Sequence, residues 1–462
     1  MDRIEGVASP AMDTSSPRSP YDPPTTPYPG MVAARFARLE HDLADAEPEH
    51  SDHAGAPAEL VERISAAVTD RAGDLVALSH EIHANPELGF REHAAVATVA
   101  RVLEAAGHAP EIGAYGLPTA LRAVAGQGRP RVAILAEYDA LPGIGHACGH
   151  NVICATAVGA YLAVAEAIDE LGGAVELIGC PAEEGGGGKE LIAREGGFDG
   201  IDAAIMLHPA GFDVAEHTWL GVQQVGVTYH GRAAHAAAMP YLGRNALDAV
   251  VAAYQGIAAM RQHMLSSDRL HGIITDGGSR PNIVPDRASA QFYLRSAEPA
   301  ALAELSGRAR EVFEAAALAT GTQLETDWEP CPVYLPVRNN SALAARYAEN
   351  VARRGRRALP AGVVPPEFTG STDLGNVSVR VPAIHPTLAI APPEVTIHAP
   401  EFAEWAASPR ADEGTIDGAI GLALTAADVL ADAELRADAA REFTEAGGRL
   451  DPAEVLGGAT GH

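Results

Sequence analysis

The chain is short of positive charge. Lysine and arginine total 33 against 61 acidic residues, a net charge of −28 over 462 residues. That deficit argues against an extended nucleic-acid footprint. An acidic surface favours solubility and by itself names no partner. Lysine is almost absent: Lys189 is the only one, and every other basic side chain is arginine. That bias reads as a GC-rich genome. Cysteine is scarce too. Cys148, Cys154, Cys180 and Cys331 are too few and too scattered for a disulfide scaffold, which points to a reducing cytoplasm. No apolar run approaches membrane-spanning length and no signal peptide is recognised, so no membrane partner is expected.

Against these absences stand two dense segments. His146-Ala147-Cys148-Gly149-His150-Asn151 puts a thiol and an imidazole two residues apart, with a glycine that lets the backbone bend. Pro181-Ala182-Glu183-Glu184, followed by Gly185–Gly188, puts adjacent carboxylates at the mouth of a glycine-rich loop. Both follow apolar runs that read as buried strands, Val132–Ala136 and Ala174–Cys180. Ligands in open α/β sheets bind at strand ends. A hydrolytic metal site needs soft or borderline ligands, a carboxylate ligand and a further carboxylate to accept a proton from water.

The surrounding pattern places these segments. Residues 1–56 are Pro-rich and then acidic, and read as a disordered tail with one short helix near Met31–Ala44. From Ala58 to Ile82 apolar residues recur at helical spacing, and Arg91–Ala106 reads as another helix. Strands at Arg131–Glu137, Ala174–Cys180 and Ala203–His208 alternate with helices at Val152–Glu170 and Lys189–Glu195. That alternation predicts a layered α/β domain with a mostly parallel central sheet. Residues 222–333 read as strand-helix-strand-strand-helix-strand, a complete ferredoxin-like α+β unit inserted in the main domain. The main domain, 57–221, resumes over 334–435 with a helix at Ser341–Arg354, a strand at Ala383–Ile390 and a helix from Thr415 to Ala433. Residues 436–462 read as a flexible tail.

A Cys-x-His pair alone is weak, since buried cysteine is usually a small hydrophobe and histidine usually a hydrogen-bonding group. Cys154 and Cys180 fit that plain reading. Cys148 and His150 do not stand alone, because Glu183/Glu184 follow the next strand, His208 ends a third, and His398 follows a fourth. So many soft and borderline donors aimed at one sheet edge point to metal. Gly185–Gly188 lacks the Gly-Lys-Ser/Thr ending of a phosphate loop. His80, His83, Glu87 and His385 read as structural, though a strand edge leaves His385 a substrate role. Gly370-Ser371-Thr372-Asp373 reads as a substrate-side turn or a helix cap.

Taken in chain order, Glu137-Tyr138-Asp139-Ala140-Leu141-Pro142, Gly145–Asn151, Pro181–Gly188 and Gly231-Arg232-Ala233-Ala234-His235 resemble the aminoacylase and carboxypeptidase family of dinuclear metal amidohydrolases. The branch is that of N-acyl-amino-acid amidohydrolases. The Glu-Tyr-Asp and Cys-Gly-His-Asn variants look closest to its aminobenzoyl-glutamate hydrolase and β-alanyl-lysine dipeptidase types. The resemblance spans about 60–430. It implies Cys148, His150, Glu184, His208 and His398 as metal ligands, Glu183 as general base and Asp139 as the residue orienting the site. It implies that His235 reaches a neighbouring subunit's site, and that Asn282 and Arg295 grip a substrate carboxylate, with Gly370 on the substrate side. It implies two divalent ions per subunit, zinc or manganese, a homodimer, and an N-acyl amino acid or dipeptide as substrate. Two positions depart from the pattern: Asn151 stands where many relatives have aspartate, and Glu137 where other branches place a metal histidine. The competing class is a metal-dependent binding or regulatory protein without turnover, against which Glu183 argues. A zinc deaminase is excluded, as no His-x-Glu followed by Pro-Cys-x-x-Cys occurs.

Overall fold

The computed structural model describes residues 28–364 and 369–457. The main sheet begins with two strands that the residue pattern does not announce, β1 (Glu111–Ile112) and β2 (Leu121–Gly126). They lie antiparallel at one edge, where short and partly exposed strands leave little periodicity to read. The centre holds β3 (Arg131–Glu137), β4 (Ala174–Cys180) and the shorter β5 (Ala203–Ile205). β3 and β4 are apolar runs buried along nearly their whole length, as parallel strands covered on both faces must be.

The strand expected over Ala203–His208 is two strands. β5 ends at Ile205, and β6 (His208–Ala210) starts a separate pairing. The inserted domain follows as β7 (Gly221–His230), β8 (Arg269–Asp276), β9 (Arg287–Ser296) and β10 (Gln323–Asp327). The chain then returns through β11 (Ala383–Ile384) and β12 (Thr387–Ala389). The expected strand Ala383–Ile390 is thus split as well. Pro386 has no N–H for the ladder, and it sits at the step where β11, paired to β5, gives way to β12, paired to β6. The order in the main sheet is β1-β2-β4-β3-β5-β11, with β4, β3, β5 and β11 mutually parallel.

The helix His150–Glu166 is buried on every side from His150 to Val164. It lies between the sheet and an outer layer that includes Ala58–Asp70, Ala72–Ala84 and Pro409–Ala431, with which it shares one apolar core. A smaller core on the other face joins Ile192 and Phe198 to Leu374 and Val377. Pro409–Ala431 corrects one expectation. By length and by a mean hydropathy of 1.3 it could cross a membrane, yet 83% of its apolar window is buried inside the protein. Here that apolar character builds core.

The inserted domain is a four-stranded antiparallel sheet in the order β10-β7-β9-β8, with helices Ala246–Met260 and Pro299–Thr320 packed together on one face. Its two links to the main domain lie side by side. Val222 N donates to Tyr334 O at 2.8 Å and Tyr334 N to Val222 O at 3.0 Å.

Two stretches near the ends, 28–56 and 433–445, are more ordered than their composition suggests. Residues 1–27 of the expected N-terminal tail lie outside the described residues. The helix expected near Met31–Ala44 spans Tyr28–Asp45; what composition does not suggest is its packing, with Phe36, Leu39 and Leu43 at helical spacing against Val214, Leu359 and Val364. The segment after it is pinned by Glu49 N to Ala358 O at 3.0 Å and Ala56 N to Asp428 Oδ1 at 2.6 Å. At the other end, Ala433–Glu445 is a helix that buries Leu435 and Ala439, so the expected flexible tail does not start at 436. Asp432 caps that helix, accepting from Glu434 N and Leu435 N.

Candidate active site

Three parallel strands deliver the first groups. Asp139 lies just past β3, Glu183 and Glu184 past β4, and His208 opens β6 beyond β5. His150 is the first residue of its helix, and Gly149 before it has φ 79°. A Cβ there would also meet the Pro209 ring at 3.0 Å, so only glycine turns the chain at that point.

Histidine tautomers follow from partners that can only accept. His150 Nδ1 lies 2.9 Å from the Asp139 carbonyl and 3.1 Å from Asp139 Oδ1, so Nδ1 carries the proton and Nε2 is left with a free lone pair. His208 Nδ1 donates to Pro209 O at 2.7 Å, which frees its Nε2 in the same way. That Nε2 is 3.4 Å from Cys148 Sγ. Glu184 Oε1 lies 3.9 Å from His150 Nε2 and 3.4 Å from His398 Nε2. Glu183 Oε2 lies 3.7 Å from His150 Nε2. His398 is half-exposed, with φ 65° and its N–H donating to Ala147 O at 2.8 Å. Ligand atoms of Cys148, His150 and His208 fall within 4.8 Å of one another, as do those of Cys148, Glu184 and His398, and of His150, Glu183 and Glu184.

The carboxylate pair is held by its backbone. Glu184 N donates to Asp139 Oδ2 at 2.9 Å. Tyr334 OH donates to Glu183 O at 2.7 Å and accepts from Gly187 N at 2.9 Å. Ala182, at φ 57°, donates its N–H to the buried Glu92 at 2.8 Å. The loop closes tightly on itself: a Cβ on Gly188 would lie 1.8 Å from Pro181 O.

These groups would sit badly together without a cation. Burial, and then the charge of Glu184, push the Cys148 thiol far above its ordinary range. Burial, and then Glu137 and Glu184, push the Glu183 carboxyl far up. Burial, and then His150, hold His208 down at about 3. Asp139 is lowered, because although burial raises it, its interaction and hydrogen bond with His150 and the Glu184 N–H outweigh burial. Among the described residues, His150 Nε2 and Glu184 Oε1 are buried without a hydrogen-bond partner. Thiol, imidazole and carboxylate donors with unsatisfied lone pairs facing one point fit a divalent metal.

A cavity of about 700 Å³ opens between the two domains over Cys148, Glu183, Glu184, His208 and His398. The inserted domain lines it with Gln224, Arg269, His271, Tyr293 and Arg295, and the main domain with Gly370 and Ser371. Arg295 donates to Ser371 Oγ at 2.5 Å, and Gly370 O accepts from Leu220 N at 2.9 Å. His235 and Asn282 are different. Both are exposed, joined by Ala236 N to Asn282 O at 3.1 Å, and neither lines this cavity. Within one chain they are not brought to the cluster, because their two loops leave β7 after His230 and enter β9 at Arg287, the end of these strands opposite to the Val222 and Arg295 pair that borders the cavity.

Several residues near the site escape a reading of the sequence. Lys189 is fully buried; its Nζ bonds to Glu137 and, at 2.6 Å, to Asp373. Its singularity in the composition was the available signal. Asp373 was legible only as part of a turn or cap, and Glu92 and Tyr334 carried no signal, since their partners are 27 to 184 residues away in the chain. Asn151 is structural, donating to Ser79 Oγ and Ala406 O.

Ligand-type donors at the carboxyl edge of a parallel sheet, beside a free carboxylate and under a second domain, define a metal-dependent hydrolase. Comparison with known proteins narrows the class. The model of peptidase family M20/M25/M40 matches residues 133–408, and the chain belongs to that family. It is 38% identical over 413 residues to an Xaa-Arg dipeptidase of Mus musculus, covering 86% of this chain and 95% of that one. It is 36% identical over 283 residues to a p-aminobenzoyl-glutamate hydrolase chain of Escherichia coli (strain K12), covering 56% of this chain and 59% of that one. In fold it resembles a dinuclear metal-binding M20 peptidase of Bacillus subtilis, with a TM-score of 0.57 at 22% identity over 76% of this chain and 98% of that one. The protein is a metal-dependent hydrolase of amide or peptide bonds, acting on small peptide or acyl-amino-acid substrates.

Proposed function

We propose that the protein hydrolyses the amide bond of an N-acyl amino acid, an aminobenzoyl-glutamate-like conjugate or a dipeptide, with two divalent ions per subunit, zinc or manganese. Cys148, His150, Glu184, His208 and His398 would hold the ions. Bound there, they would polarise the scissile carbonyl and acidify the attacking water. The observation that carries this reading is the pair of donor triplets meeting at Cys148, one with His150 and His208 and one with Glu184 and His398.

The chain's own groups have separate tasks. Glu183 accepts the proton from the attacking water and returns it to the leaving nitrogen. Asp139 fixes the His150 ring and the Glu184 backbone at once. Arg295, set by Ser371 and facing the cavity, pairs with a substrate carboxylate. Gly370 leaves room beside it.

The same reading includes a homodimer in which His235 and Asn282 serve the partner's cavity. It is supported by their exposure away from the cavity of their own chain. The edge strand β8 also carries the exposed Ile273 and Ile274. Four free, buried cysteines suit a reducing cytoplasm.

The test is Glu183→Gln, which keeps shape and removes the base. On N-acyl amino acids, aminobenzoyl-glutamate and dipeptides, with Mn²⁺ or Zn²⁺ restored to apoprotein, kcat should fall about 10²–10⁴-fold with metal content unchanged. Near-native kcat would overturn the assignment.

A further inference from the structure

The chain's single lysine occupies a position that elsewhere in this site is suited to a metal ion. Lys189 is wholly buried at the start of helix Gly188–Arg194. Its ammonium bonds to Glu137 and to Asp373 Oδ1, while its backbone N–H donates to Asp373 Oδ2 at 2.9 Å. Glu137 and Asp373 are both fully buried. With Glu183 they form a carboxylate triplet whose oxygens lie within 4.8 Å of one another, the same spacing as the donor triplets at Cys148. Three carboxylates buried at that separation cannot all stay ionised unless a cation offsets their charge. The second oxygen of Glu137 is buried, has no hydrogen-bond partner and lies 3.5 Å from His150 Nε2. The two clusters therefore adjoin, and a divalent ion could enter either.

We propose that Lys189 is a built-in cation: its ammonium takes, among Glu137, Glu183 and Asp373, the place a further divalent ion would take, and so confines metal to the cluster around Cys148. Size explains why lysine and not arginine serves here. An ammonium is a compact point charge, comparable with a metal ion in the space it needs between carboxylates, whereas a guanidinium is a wide planar fork. The inference goes beyond the proposed reaction and does not depend on which substrate is cleaved.

The experiment counts ions. Wild-type protein and Lys189→Ala are stripped with chelator, equilibrated with Mn²⁺ alone, freed of unbound ion and measured by elemental analysis. Lys189→Ala should hold about one ion more per chain than wild type, since the vacated space between carboxylates admits a hard cation. Lys189→Ala/Asp373→Asn, with one carboxylate neutralised, should return to the wild-type count. Melting temperature supplies a second readout: added Mn²⁺ should raise Tm more in Lys189→Ala than in wild type. An unchanged ion count in folded Lys189→Ala would overturn the proposal. So would a variant that fails to fold even when refolded with Mn²⁺, because a divalent ion would then be unable to replace the ammonium.

Discussion

Asp139→Asn should weaken metal binding while leaving the catalytic apparatus intact. The carboxylate accepts two hydrogen bonds, from His150 Nδ1 at 3.1 Å and from Glu184 N at 2.9 Å. Asparagine matches its shape but offers one acceptor and one donor. If the amide oxygen keeps Glu184 N, the amide N–H faces His150 Nδ1. The Asp139 carbonyl, 2.9 Å from Nδ1, still holds the proton there, but the ring meets the amide N–H and loses the carboxylate that fixed its orientation toward the cluster. If the amide flips, its N–H meets Glu184 N–H instead and the carboxylate ligand is displaced. One charge-assisted hydrogen bond is lost either way, worth about 1.5–3 kcal/mol. That corresponds to about 10–150-fold in metal dissociation constant, in line with the roughly 10–100-fold typical of groups that orient a ligand. Competition with a chromogenic chelator measures it directly. At saturating metal most of kcat should return, because Asp139 touches neither substrate nor the base. A folded variant whose metal affinity lies within about twofold of wild type would refute the reasoning, since the orienting role predicts at least the lower bound.

Arg295→Ala should raise KM about 10–150-fold for substrates with a free carboxylate, and much less for esterified analogues, as loss of a charge-assisted bond predicts; equal losses on both would remove the clamp. Mixing inactive His235→Ala with inactive Glu183→Gln under subunit exchange should restore part of the activity, since one site of a mixed dimer would carry both defects and the other neither. No recovery after demonstrated exchange would mean that His235 does not act across subunits. The C-terminal helix gives a pH prediction. Burial raises the Asp432 carboxyl, but the N–H groups of Leu435, Gly55 and Glu434 outweigh it and hold it below its ordinary 3.8. A depressed carboxylate stabilises the fold above its unfolded pKa and ceases to as pH falls through the folded one. Asp432→Ala should therefore lower stability by about 0.5–2 kcal/mol at neutral pH, the range for a lost cap, and the gap in Tm should close below pH 3.8. A gap independent of pH would assign the loss to something other than the charge.

The local patterns were legible without coordinates. β3, β4 and the inserted unit carry continuous or alternating apolar signals within short windows, so their strands and helices could be bounded to within a few residues. The groups Cys148, His150, Glu183 and Glu184 were visible for a related reason: Glu183 and Glu184 lie just beyond β4, and Cys148 and His150 lie in the connection from β3 to the next helix, so chain order takes all four to one sheet edge. Where the structure departed, the deciding contacts were distant. β1 and β2 are short edge strands defined by their partners. The order at 28–56 and 433–445 comes from apolar residues that find Val214, Leu359 and the helix Ser341–Ala352 far along the chain. The tautomers of His150 and His208 are set by the carbonyls of Asp139 and Pro209, which composition cannot weigh. Lys189 is the sharpest case. Its rarity was plain in the amino-acid order, but its meaning rests on Glu137 and Asp373, 52 and 184 residues away, which meet it where all three are fully buried. A buried charge is interpretable only through its partners, and only the tertiary fold supplies those.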